Sequence, residues 1–155
     1  MKLSEIIAHI QNARAAHKAW VARAEGLVAG LPLEKEQVPV LPTDCMFGQW
    51  YYGPGQILRR LPAYKALEAP HDALHKTYMK IFQLLYDAPD VSALGRLFGQ
   101  ARRLRKERLE QARALLPTLR QQSEEVCALL DTLEDQVAQA ARRKNPNAST
   151  VQETL

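Results

Sequence analysis

Residues 3–28 read LSEIIAHIQNARAAHKAWVARAEGLV. Apolar side chains return at Leu3, Ile6, Ile7, Ile10, Ala13, Trp20, Val21, Ala24, Leu27 and Val28. Steps of three and four residues put them on one side of a helix. His17 falls on the same stripe, between Ala13 and Trp20, whereas His9 lies off its centre and is read as a surface residue. Gly30 and Pro32 end the helix.

The pattern after this helix is again helical, with interruptions. Pro32, Pro39 and Pro42 mark residues 31–44 as a loop. A short apolar and aromatic element, CMFGQWYY, covers residues 45–52; Thr43 or Asp44 is placed to cap it, and Gly53, Pro54 and Gly55 stop it. Short helices are predicted over 56–61 and 62–67. Pro70 suits the first turn of a longer helix, where its missing N–H is not needed. That helix runs to about Tyr86, with Leu74, Tyr78, Ile81, Phe82 and Leu85 facing inward. After a turn at 87–90, Asp90 or Ser92 caps a long final helical region that carries Leu94, Leu97, Ala101 and Leu104, with a kink or break expected at Pro117. Beyond it Ala112, Leu116, Leu119, Ser123, Val126, Leu130, Leu133, Val137 and Ala140 alternate steps of four and three, a heptad seam able to pack inside the bundle or against a second copy. The expected architecture is all-α. It is an antiparallel four-helix bundle over residues 1–143, with a short extra helical element carrying Cys45 and a kinked long C-terminal helix. The polar residues 144–155 are expected to form a disordered tail. No repeat and no βαβ signal of a nucleotide fold is present.

Composition narrows the classes. The 155 residues, 46% hydrophobic and 25% charged, suit one domain with one core. No stretch is apolar for long enough to cross a membrane, and the first residues lack the apolar block of a signal peptide, so a cytoplasmic protein without membrane insertion is expected. In that compartment Cys45 and Cys127 are each a free thiol or a metal ligand. The net charge of +4 is mild. The basic runs at 102–106 and 142–144 lack interleaved aromatics or a recognition motif and read as solvated faces, with no nucleic-acid partner.

The candidate chemistry lies in three histidines and a cysteine. His71 and His75 stand four residues apart on a predicted helix, so both rings point to one side and are able to share a metal ion. His17, on an apolar stripe, is either a core histidine bonded to a backbone carbonyl or a ligand facing the bundle interior. Cys45 is either a small buried apolar residue or, as a thiolate, a strong zinc ligand. Zinc takes thiolate and imidazole in a tetrahedral shell that one cysteine and three histidines would fill.

These residues sit in three ordered motifs: His17-Lys-Ala-Trp20 as HxxW, residues 45–53 as CxFGxWxYG, and residues 71–75 as HxxxH. In this the chain resembles the chemoreceptor zinc-binding domain family over roughly residues 5 to 135. The resemblance implies zinc as the cofactor and His17, Cys45, His71 and His75 as its ligands. Trp20, Phe47, Gly48 and Trp50 match motif positions that are not ligands and are expected to wall the site. Members of that family occur joined to chemoreceptors or diguanylate cyclases and as free-standing proteins. The absence of such a domain here makes a free-standing member the expectation, with its output passing to a partner in trans.

A closed four-ligand shell leaves no position for substrate, so no enzyme is expected. The expected function is a sensory or regulatory module of the chemotaxis or cyclic-di-GMP signalling type, responding to zinc availability or to oxidation of the zinc-bound Cys45. The rival expectation is a structural bundle with zinc as a permanent staple. A homodimer is expected, because the family is often dimeric and the C-terminal seam offers a surface.

Overall fold

The computed structural model describes residues 2–88 and 90–144. Among them every regular element is helical and there is no strand. The first helix, α1, spans Leu3–Val28. It stops where Gly30 takes a φ of +79° and Leu31 N–H donates to Gly26 O at 2.9 Å. The loop that follows holds one 3₁₀ turn, Lys35–Gln37. A short helix α2, Met46–Tyr52, and a 3₁₀ segment, Pro54–Leu58, come next, then α3, Pro62–Ala66. The helix predicted over 56–61 is therefore 3₁₀ and earlier, because it starts on Pro54. Helix α4 covers Glu68–Tyr86, so Pro70 does fall in its first turn.

The long C-terminal region is three helices, not one. Ser92 caps α5, Ala93–Leu97, by accepting from Gly95 N–H at 3.2 Å. Gly99, with φ +72°, separates it from α6, Gln100–Ala114. Helix α7, Leu116–Lys144, then starts afresh with Pro117 in its first turn. The proline breaks the chain at Leu115 instead of kinking one helix, since its ring would clash with the carbonyl four residues back. Helix α7 includes Lys144, and residues 145–155 of the expected tail lie outside the described residues.

Helix α1 packs along α7, and α4 packs on both α6 and α7. Ile10, Ala24, Leu74, Tyr78, Ile81, Leu119, Val126, Leu130 and Leu133 are all fully buried between them. Burying one such aliphatic side chain contributes roughly 1.5–3 kcal/mol, so this face of α7 is a main source of stability. The heptad seam is thus used within one chain: Leu119, Val126, Leu130 and Leu133 have no exposed surface left to offer a second copy. Helix α6 differs, with Ala112 its only buried residue. No helix among the described residues is long and apolar enough to cross a membrane.

Candidate metal centre

His71 and His75 lie one turn apart on α4, both almost without solvent exposure. Opposite them the loop before α2 delivers Cys45. This residue is itself the N-cap of α2: its Sγ accepts from Gly48 N–H at 3.2 Å. Thr43 and Asp44, the caps expected from sequence, are engaged with each other, Thr43 Oγ1 donating to Asp44 Oδ1 at 3.0 Å. The thiol is therefore fixed by the first turn of a helix that the same motif encodes. Gly48 permits this closure, since a Cβ there would lie 1.7 Å from Pro42 O.

Cys45, His71 and His75 each offer a donor atom, all within 4.8 Å of one another. Cys45 Sγ stands 3.4 Å from His71 Nε2. His75 Nδ1 lies 2.7 Å from Val40 O. A carbonyl oxygen only accepts, so the His75 proton is on Nδ1 and Nε2 keeps its lone pair. That Nε2 is buried and has no hydrogen-bond partner. An orphaned buried polar atom costs about 1–3 kcal/mol, and a metal ion among these donors would satisfy it. Burial keeps the rings neutral and ready to ligate. Desolvation, with the neighbouring His75 and His17 adding to it, lowers His71 to about 3. Desolvation and His75 lower His17 to about 4. Burial lowers His75 too, against the opposing pull of the Val40 carbonyl. Burial pushes the Cys45 thiol up, partly offset by the Gly48 N–H.

His17 is buried at the edge of this cluster. Its ring centroid is 6.4 Å from that of His71 and 5.9 Å from that of Phe47. Its Nε2 lies 3.1 Å from Ser123 Oγ on α7, so the structure does not draw it in with the three converging donors. The expected wall residues divide into two layers. Trp20 is 4.5 Å from the His75 ring, its Nε1 donating to Pro39 O at 3.0 Å, and Phe47 is 4.4 Å from the His71 ring. Trp50 stands behind Phe47, at 5.8 Å, and against Tyr64. Two contacts were not singled out by the sequence. The Val40 carbonyl carries no side-chain signal. Ser123 carries one: a hydroxyl at a seam position otherwise filled by apolar residues.

Residues 17–82 match the family model described as the chemoreceptor zinc-binding domain. Over this segment the chain is similar to that family. The matched stretch of the zinc-binding domain runs from His17 through Cys45, His71 and His75 to Phe82, and so contains all the candidate ligands. No curated protein and no solved structure gives a match. The donor set of one sulfur and two imidazoles suits zinc, which binds both, better than the all-oxygen sites of magnesium or calcium. When bound, zinc would supply the positive charge that keeps Cys45 as a thiolate. The chain's own part is to hold the sulfur on the α2 cap, to set the His75 tautomer through Val40, and to keep water out with Trp20 and Phe47.

Proposed function

We propose that this chain is a non-enzymatic zinc-binding sensory or regulatory module in which His17 joins Cys45, His71 and His75 around one zinc ion. The observation that carries this reading is the convergence of Cys45, His71 and His75, with the buried Nε2 of His75 left without a hydrogen-bond partner. The four long helices, α1, α4, α6 and α7, are read as an antiparallel four-helix bundle. The stimulus is zinc availability or oxidation of zinc-bound Cys45. In the metal-free chain the thiol is buried and protonated, so its reactive form is the one zinc creates. The response passes to a partner in trans, of chemoreceptor or diguanylate cyclase type, in the cytoplasm. The chain acts as a homodimer whose contact is not the α7 seam.

Support for a sensor over a staple comes from the core. Helices α1, α4 and α7 are held together by apolar side chains that need no metal. Zinc removal is therefore expected to be reversible and to leave most helicity in place; outright unfolding would return the staple reading. The direct test is metal analysis of the purified chain beside Cys45→Ala. The parent is expected to carry about one zinc per chain and the variant clearly less. Equal retention would remove Cys45 from the site.

A further inference from the structure

We propose that Ser123 of α7 is a positioning residue for the metal centre: it holds His17 by Nε2 and leaves Nδ1 as the nitrogen that the ring offers to the ion. The inference rests on the zinc reading above and adds a residue outside the matched segment 17–82.

Ser123 occupies a core position of the α7 seam, only 9% exposed, between the fully buried Leu119 and Val126. A buried hydroxyl without a partner costs about 1–3 kcal/mol, so a serine here is kept only with something to bond. Its partner is His17 Nε2, at 3.1 Å. His17 is equally enclosed, at 2% exposure, so each polar group satisfies the other inside the α1–α7 interface.

The arrangement parallels that of His75 with the ring reversed. A hydroxyl, unlike a carbonyl, both donates and accepts; in the proposed pairing Nε2–H of His17 donates and Ser123 Oγ accepts. Val40 O takes Nδ1 of His75 and leaves Nε2 free; Ser123 takes Nε2 of His17 and leaves Nδ1. An outer partner of this kind fixes tautomer and ring orientation, and its loss typically lowers metal affinity about 10–100-fold. The hydrogen bond also ties the centre to α7, the helix that lines up with α1 along its length, so zinc occupancy is felt where the bundle packs most extensively.

The test is a zinc titration of the full chain against a competing chelator, for the parent, Ser123→Ala, Ser123→Thr, His17→Ala and the Ser123→Ala/His17→Ala pair. Ser123→Ala is expected to bind zinc about 10–100-fold more weakly, with unchanged metal-free helicity. Ser123→Thr, which keeps the hydroxyl, is expected to recover most of the affinity. In the His17→Ala background, Ser123→Ala is expected to have no further effect, because its action runs through that ring. Nitrogen NMR of the metal-free parent is expected to show the His17 proton on Nε2. Binding that is unchanged or tighter in Ser123→Ala overturns the proposal, the latter by showing that the hydroxyl competes with the ion. An additive loss in the double variant also overturns it. A parent that takes up no zinc ends both readings, whereas a binding parent with an unaffected Ser123→Ala ends only this one.

Discussion

The donor cluster and the α5–α6 arm are both helical, and they use apolar residues in opposite ways. Around the donors, Phe47, Leu74 and Tyr78 are essentially fully buried, and rings pack at tilted or edge-on angles from His71 to Phe47 and from His75 through Trp20 to Tyr78. On the arm, Leu94, Leu97 and Phe98 are 68%, 81% and 77% exposed, and Arg102, Arg103, Arg105 and Lys106 stand in water beside them. An apolar side chain contributes to stability in proportion to the area it removes from water, so similar residues weigh heavily in one region and little in the other. The candidate ligands lie in the region that resists displacement. A metal site built there is preorganised by packing, and no candidate ligand lies on the arm.

That contrast can be broken from the cluster side first. The largest effect is expected for Gly48→Ala. The new Cβ would lie 1.7 Å from Pro42 O and 2.8 Å from Pro42 C, backbone atoms that no rotamer change can move. Destabilisation above about 4 kcal/mol is expected, with loss of zinc uptake, read by thermal melting and metal analysis. A variant as stable as its parent would show that the loop ahead of α2 is not packed as described.

Acid probes the same cluster more gently. In the folded metal-free chain His71 is lowered to about 3 and His17 to about 4, from an ordinary 6.5. Between those values the unfolded chain binds more protons than the folded one, so stability falls as pH falls. Denaturant midpoints of the metal-free protein are expected to be level above about pH 6.5 and to decline below it. A flat profile down to pH 4 would mean that water reaches the rings. The smallest effect is expected on the arm: Leu97→Ala should shift unfolding by less than about 0.5 kcal/mol, because little burial is lost. A loss several times larger would place α5 in the cooperative core and dissolve the distinction.

Much of the cluster could be read from the chain. The stripe of α1 put His17 inside, and the spacing of His71 and His75 placed two rings on one side of α4, because both inferences need only the local period of a helix. Reading failed where a local pattern had two outcomes. Leu94, Leu97, Ala101 and Leu104 continue a helical stripe, yet Gly99 turns left-handed between them and the first two face solvent. Cys45 looked like the residue after a cap and proved to be the cap, since its sulfur is free to accept from Gly48 N–H while Thr43 and Asp44 bond to each other.

Residue identity and helical periodicity were enough to nominate the side chains able to ligate a metal, to show which faces of α1 and α4 turn inward, and to mark the chain as helical. The three-dimensional structure alone decided that the α7 seam closes on its own chain, that Val40 O sets the tautomer of His75, and that Ser123 meets His17. Those contacts join residues 35 and 106 positions apart. A local pattern determines how neighbours along the chain are oriented; it carries no information on which distant segments come within hydrogen-bond reach.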